Sequence, residues 1–536
     1  MHFEIKDDKI YLYNCFEHLQ TIQQMPGRKW HKKQRAWSLS YDIDTVLTAN
    51  ERLPINIPLK TKNVLTANDS KPIIQHLYKH QLETVYKMRQ NECFADLSEP
   101  GSGKTLVQIN MMLERDTWPI LIICPKSIMS AVWQEQLVEI NIQLKRAILF
   151  PILLTGGSKK IIKTLDIEKG LSDKVDGPSG KVFIINYESV PLVLDELLAM
   201  NFPYVILDES TKIKNRTAKR SKACIKLKEH AKYRSIMTGT VAPNGVMDMF
   251  NQFNFVDSYY FGTRFYAFRE RYFYPGFTMT TKQGQEFQEW FLKSGSLELI
   301  KARIADISIQ HHKRDCVDLP PLVHEKRLIE MNTEQAKIYR DMKEELLIQL
   351  EGQVITAKFA MTKMMKLRQI ASGFIYDEED TYRFYNSKLN EMIELVDEIN
   401  NKVIIFAHFK ESLINIANKL TGYLEYKTNL PEDDKMKVLE TFETSEQHNI
   451  LIANPISAGH GLNLQFCSNI IYYEKDFNLE TYLQSVQRIE RIGQKNKMTV
   501  YHLMAKNTID EYIHKKLMHK EDINKELDLK ELKELI

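Results

Sequence analysis

Seven short, almost unbroken apolar runs limit what this chain can fold into. "LIICP" (121–125), "VFIINYE" (182–188) and "YVILDE" (204–209) fall in one stretch. "KVIIFA" (402–407), "ILIAN" (450–454), "NIIYYE" (469–474) and "VYHLMA" (500–505) fall in another. A strand with one wet face alternates apolar and polar residues. Runs without that alternation need cover on both faces, the condition of a parallel sheet between layers of helices. Helical stretches supply the cover in the first block, in "LVQINMMLERD" after residue 105 and "IMSAVWQEQLVEI" after the first run. The pattern predicts an α/β protein with two parallel-sheet lobes.

A chain of 536 residues is too long for one core and should divide into about three or four domains. Residues 1–60 read as a small α+β module: a strand pair in "FEIKDDKIYLYN", a short helix in "CFEHLQTIQQM", a strand in "RAWSLSYD" and a helix in "DTVLTANERL". A polar linker follows at 61–75, then the first lobe at 76–245. Residues 246–333 read as a helical insertion ending in an interlobe strap, "DCVDLPPLVHE". Residues 334–384 are a helical part of the second lobe, 385–515 its α/β body, and 516–536 a charged C-terminal helix, read as a solvated face. The aromatic stretch "MFNQFNFVDSYYFGTRFYAFRERYFY" admits a base-stacking surface, but core packing of the insertion is the favoured reading.

Hydrophobic content of 43% and charged content of 27% are those of a globular protein. No apolar run approaches the roughly 20 residues of a membrane span, and the N-terminus lacks a signal-peptide pattern. The expected location is the cytoplasm of a prokaryotic or phage-infected cell, with no membrane partner. Six cysteines lie far apart without a C-x-x-C pair, which points to buried thiols and away from zinc or disulfides. The net charge of +3 means that nucleic-acid binding would rest on local patches.

Three constellations carry chemistry. "SEPGSGKT" (98–105) ends as a phosphate loop does and precedes a helix, where Lys104 would neutralise β- and γ-phosphates and the Thr105 hydroxyl would meet Mg2+. Its Pro100 lacks an N–H, and Ser98 stands where the usual pattern has glycine. "VILDES" ends a buried strand in Asp208, able to hold the metal, and Glu209, able to orient water. In "LQSVQRIERIGQ" (483–494), Arg488 and Arg491 are three apart and predict a shared helical face, either solvated or reaching a γ-phosphate.

In order, these phrases resemble the motifs of the Swi/Snf-type branch of superfamily-two helicase-like ATPases. "LYKHQ" with Gln81 resembles the adenine-reading motif, "SEPGSGKT" motif I, "LIICPKSIMSAVWQEQ" motif Ia, "DESTKIKN" motif II and "MTGTVAPN" motif III. "KVIIFAHFKESL", "SAGHGLNLQ" and "QSVQRIERIGQ" resemble motifs IV, V and VI, and "LRQIASG" also sits where the family has a similar phrase. The likeness covers roughly residues 75–515. Departures are Thr211 for a common His, Val241 for a common Pro, and "EYKTNLPEDDK" for a glycine-containing phrase.

The resemblance implies two RecA-like lobes, ATP and Mg2+ as cofactors, and duplex or forked DNA as partner, tracked largely without sequence preference. It implies catalytic roles for Lys104, Asp208, Glu209, Arg488 and Arg491, and metal contact by Thr105 and Asp208. ATP contacts fall to Gln81, Gly101, Ser102, Gly103, Lys104, Thr105, Gly461 and Gln484. Candidate DNA contacts are Lys126, Lys212, Lys214, Arg216, Lys219, Arg220, Thr238, Gly239 and Thr240. "MPGRKWHKKQRAWSLSYD" resembles the HARP-type module of annealing helicases, adding Arg28 and Lys29; Trp30 and Trp37 there are either core or DNA contact. The expected activity is ATP-driven translocation on duplex DNA that remodels forks, anneals strands or displaces bound proteins. The alternative is a motor or nucleotide-gated clamp subunit of a restriction, defence or replication complex. No nuclease constellation is present, so a nuclease or single-strand-binding protein would be a separate partner.

Overall fold

The computed structural model describes residues 1–518 except 7–8, 26–27, 33, 56, 58–71, 173–179, 240–244, 281–285, 313–315, 317–318, 353–356, 377–380, 385, 427–429, 459–463 and 492. Thr240, Gly461 and most of the C-terminal helix therefore lie outside the described residues. The chain forms two compact units, Met1–Cys316 and Val317–Ile536.

The first unit opens on a four-stranded antiparallel sheet in the order His2–Lys6, Lys9–Tyr13, Ala36–Ser40, Lys29–His31. The helix Ile43–Arg52 covers it, its N-terminus capped by Asp42, which accepts from the Thr45 amide at 2.9 Å. Ile10, Leu12, Leu39, Val46 and Ala49 form its core. Within this module the strand Lys29–His31 is absent from the sequence pattern; three residues with a single apolar side chain give no period to read.

A seven-stranded sheet follows, in the order Ser308–Ile309, Cys93–Asp96, Tyr233–Met237, Tyr204–Asp208, Ile120–Cys124, Lys181–Asn186, Phe150–Leu154. Every pairing in it is parallel. Alternate residues serve opposite faces: Leu121, Ile123, Phe183, Ile185, Val205 and Leu207 pack into one core. Ile120, Ile122, Val182, Ile184, Tyr204 and Ile206 pack into the other. Cover on both faces is thus what made these strands continuously apolar.

The stretch 246–310 is not wholly helical. Helices Met249–Val256, Phe265–Tyr272 and Ser296–Ile304 are joined by an antiparallel hairpin, Phe273–Thr280 with Glu286–Leu292. Its aromatics Phe250, Phe253, Phe255, Phe261, Phe268, Tyr272 and Phe273 belong to the core beneath the sheet. The insertion also carries the N-terminal module. Asp44 takes a forked pair from Arg303, at 2.5 and 2.8 Å, and an ion pair from Arg271. The Ile43 amide donates to the Tyr259 carbonyl.

The second unit holds a six-stranded parallel sheet in the order Leu322–Ile329, Met498–Ala505, Asn469–Tyr472, Val403–Phe406, Ile450–Ala453, Tyr423–Tyr426. The expected strap is in part a strand of this sheet: Leu322–Ile329 pairs with Met498–Ala505 over eight residues. It lies at the sheet edge, half-exposed, and so tolerates four consecutive polar residues, His324 to Arg327, between two apolar pairs. "LRQIASG" gains a structural reason, because Arg368 is buried and donates to the Lys475 carbonyl at 2.6 Å. Ser372 of the same phrase donates to buried Glu474 at 2.5 Å, and Glu474 also accepts from Ser412 and from the amides of His408 and Phe409. All six cysteines are free thiols, five of them buried. Among the described residues no helix is long and apolar enough to cross a membrane.

Candidate functional site

Parallel strands end on one edge, and polar side chains placed there face a common crevice. Asp96 and Asp208 close the strands Cys93–Asp96 and Tyr204–Asp208, and both align with Met237 of the strand between them. The phosphate-loop residues follow Asp96 directly, and Glu209 follows Asp208.

Pro100 fits the loop as a turn residue. The Ser102 amide donates to the Glu99 carbonyl at 3.3 Å, and Gly101 has φ +83°. Proline at the second position and left-handed glycine at the third are the signature of a type II turn. Ser102 thus spends its N–H inside the loop, one donor fewer than the sequence reading assigned to phosphate. Ser98 is buried because its hydroxyl accepts from the His311 amide at 3.2 Å, fixing the loop to the segment that ends the insertion.

Gly103, with φ +80°, stands before the helix Lys104–Arg115. A Cβ there would lie 2.1 Å from Gln81 Nε2, and the positive φ adds backbone strain for any residue with a side chain. Gln81 is buried, donating from Nε2 to the Ser102 carbonyl at 3.2 Å while Oε1 accepts from the Tyr78 amide at 2.9 Å. No side chain caps this helix. Its first amides, from Lys104 and Thr105, remain an anion-binding end. Lys104 Nζ bridges the carbonyls of Ser98 and Glu99 at 2.7 and 3.1 Å. An uncapped helix start, a lysine at its first position and a nearby carboxylate pair fit a nucleotide phosphate with its divalent cation.

Asp208 is buried, and both of its oxygens are held. Trp133 Nε1 donates to Oδ2 at 3.0 Å, and the Glu209 amide donates to Oδ1 at 2.9 Å. Burial raises its pKa; Lys104, Trp133 and the Glu209 amide oppose the shift, and Asp96 adds to it. A carboxylate in that balance gains from a nearby cation. Glu209 has φ +55°, a strained setting for a residue with a side chain. Sequence reasoning missed Asp96 and Trp133. Trp133 lies 75 residues from its partner, in a one-turn π-helical widening at Met129–Gln134.

Thr238 and Gly239 reach the same edge. The Thr238 amide donates to the Asp96 carbonyl at 3.1 Å. A Cβ on Gly239 would lie 2.3 Å from Pro100 Cδ, so the strand-end glycine sits directly on the proline ring of the phosphate loop.

In the second unit, Gln484 is buried on the helix Leu479–Val486. Arg488 and Arg491 do not share a helical face, contrary to their spacing. The helix stops at Val486, and i→i−3 bonds from Arg488 and Ile489 tighten the chain into turns that carry both arginines. Arg488 is buried, its Nε donating to the Gln484 carbonyl at 3.0 Å. Burial alone lowers the Arg491 pKa to about 10.

The proposed DNA contacts are dispersed. Lys126 is exposed just beyond the strand Ile120–Cys124. Arg216 and Lys219 are exposed and Lys212 half-buried. Arg220 is partly committed, to Glu188 and the Lys212 carbonyl, and Lys214 lies 3.9 Å from Asp248. Arg28 donates to the Met25 carbonyl, and Lys29 is exposed on the module's edge strand. Trp37 packs against the module core, while Trp30 beside it is 44% exposed.

An SNF2-related domain matches residues 72–373, more than half of the chain, and a helicase conserved C-terminal domain matches 387–493. The module at 1–57 lies outside both. The p41 protein of Acyrthosiphon pisum secondary endosymbiont phage 1 is 28% identical, over 77% of this chain and 89% of that one. The Caenorhabditis elegans homolog of SWI/SNF-related matrix-associated actin-dependent regulator of chromatin subfamily A-like protein 1 is 23% identical, over 94% and 72%. The uncharacterized ATP-dependent helicase MG018 of Mycoplasma genitalium is 22% identical over 90% of this chain, which spans only 45% of that protein. A solved Sulfolobus solfataricus SWI2/SNF2 ATPase core in complex with dsDNA shares 22% identity over 88% of this chain and 99% of that one, at a TM-score of 0.37. With both domains present in order, the chain belongs to the SNF2-related family and is an ATP-hydrolysing, helicase-like enzyme of superfamily two.

Proposed function

We propose that the chain is a DNA-stimulated ATPase that moves along duplex DNA. The carrying observation is the uncapped start of the helix Lys104–Arg115 beside the doubly held Asp208. Gln81 reads the base, the amides of Gly101, Gly103, Lys104 and Thr105 cradle phosphate, and Lys104 neutralises it. Mg2+, when bound by Thr105 and Asp208, spreads the charge that develops on the phosphate oxygens. Glu209 orients the attacking water, and Arg488 and Arg491 supply positive charge to the γ-phosphate. A half-buried arginine whose pKa desolvation lowers gains from an anionic partner, which supports that role for Arg491.

The DNA reading is supported by the basic segment after Glu209, in which Arg216 and Lys219 are exposed and Lys212 is half-buried. Contacts of this kind hold the backbone without reading sequence. Exposed Trp30 beside Lys29 supports a share in strand annealing for the N-terminal module. Displacement of a third strand from a triplex tests translocation: ATP-dependent release supports it, and release equal with and without ATP contradicts it.

A further inference from the structure

Five side chains on the insertion and the basic segment form one stacked cluster. Arg216 Cζ lies 4.6 Å from the Phe265 ring centre and 5.2 Å from that of Tyr266, and its Nη2 donates to the Tyr266 hydroxyl at 3.4 Å. Arg269 Cζ lies 5.1 Å from the same Tyr266 ring and 3.9 Å from that of Trp290, on the hairpin. Neither guanidinium meets a carboxylate among the described residues. Three other cations nearby are committed: Arg271 and Arg303 to Asp44, and Arg220 to Glu188. Arg216 and Tyr266 are exposed, and Arg264, at the start of the same helix, is exposed as well.

A guanidinium resting on an aromatic face has its plane fixed at little entropic loss, while terminal N–H groups in that plane remain for a further partner. That arrangement suits the paired oxygens of a phosphate, which accept two parallel N–H bonds. Rings serving as supports for arginine are less available to stack bases, so the cluster favours backbone over base recognition. A carboxylate-free pair of arginines, joined through one tyrosine and continuous with the basic segment 212–222, matches a polymer of phosphates.

We propose that the Arg216–Tyr266–Arg269–Trp290 cluster is a phosphate-backbone contact for DNA, placed on the insertion outside the helicase motifs. The proposal rests on the DNA-tracking reading above and names a surface for it. Arg216 anchors the track beside motif II, and Arg269 extends it onto the hairpin.

The test measures binding of the full chain to a fluorescein-labelled duplex across a sodium chloride series, by anisotropy. Arg216→Ala and Arg269→Met are compared with the parent; methionine keeps the packing of the half-buried Arg269 stem. Each phosphate contact contributes about 0.9 to the slope of log affinity against log salt, so each variant should lower the slope by about that amount. Arg269→Lys, which retains charge but loses the planar stack, should bind more weakly than the parent. Thermal melting at the parent midpoint confirms folding; if Arg269→Met melts early, Arg216→Ala on the exposed side decides. Unchanged slopes in folded variants, with the parent binding normally, overturn the cluster alone. A parent chain without salt-dependent DNA binding overturns the DNA reading itself.

Discussion

Adding one methyl group at Gly239 should jam the phosphate loop. A Cβ there lies 2.3 Å from Pro100 Cδ, 2.4 Å from Cγ and 3.1 Å from the proline nitrogen, against about 3.4 Å for ordinary contact. Gly239 is not among the glycines with positive φ, so alanine meets no backbone strain and the contact is the whole effect. The proline ring has no rotamer through which to retreat, and the displacement of roughly 1 Å passes to the turn Glu99–Ser102 or to the strand end. Overpacking of this order costs about 1–3 kcal/mol. Expressed at the catalytic geometry, that is a loss of about 5- to 150-fold in ATP turnover. Pro100→Ala removes Cγ and Cδ and leaves a turn that alanine can adopt, so alone it should leave turnover largely intact. Combined with Gly239→Ala it should restore most of the lost rate, a coupling that a double-mutant cycle reads directly. Phosphate release at saturating ATP is the assay, with thermal melting as the folding control. Near-parental turnover in Gly239→Ala, or a double variant as slow as Gly239→Ala alone, would refute the interlock.

Lys104→Ala and Glu209→Gln should each abolish ATP hydrolysis while melting as the parent does; turnover surviving in either would remove it from the mechanism. Trp133→Phe keeps an aromatic side chain, smaller than the indole, and deletes the donor to Asp208 Oδ2. A hydrogen bond to a charged group contributes about 1.5–3 kcal/mol, so kcat should fall at least about tenfold, with a higher Mg2+ requirement. The second unit should lose stability in acid. Lys475 Nζ donates to Nδ1 of His514 at 2.9 Å and of His502 at 3.3 Å, and His502 Nε2 faces His324 Nδ1 at 3.1 Å. Burial and Lys475 hold all three imidazoles neutral, His514 down to about 3. Because the folded pKa values lie below the unfolded value near 6.5, the unfolded chain takes up protons first. The contribution of the three histidines is complete above about pH 6.5 and falls as pH drops towards about 3. Urea midpoints at descending pH check this, and a second unit equally stable at pH 5 and pH 8 contradicts it.

The sequence was most legible where burial is symmetric. Runs such as "YVIL" (204–207) and "VIIFA" (403–407) had no charged residue to disguise them, and the motif phrases kept their order. Strands with polar members were harder. Tyr233–Met237 carries Arg234, whose guanidinium is satisfied by the carbonyls of Val256, Lys228 and Ala231, and no local pattern encodes those partners. Leu322–Ile329 is an edge strand whose four polar residues in a row give no period of two, and Ser308–Ile309 is too short for any period. Within the site, the glycines and Lys104 were readable from spacing. Trp133, Asp96 and the Pro100–Gly239 contact were not, since each joins segments far apart in the chain. The i→i−3 turns that end the helix before Arg488 have no proline or glycine to announce them.

The central claim is that ATP hydrolysis by this chain is driven by DNA. Steady-state ATPase rates measured without DNA and with single-stranded, duplex and forked DNA test it most directly, using Lys104→Ala as the blank. Duplex or forked DNA should raise the rate many-fold over the DNA-free value, and the stimulation should fall steeply as salt rises. A rate that none of the three DNAs changes would contradict the account.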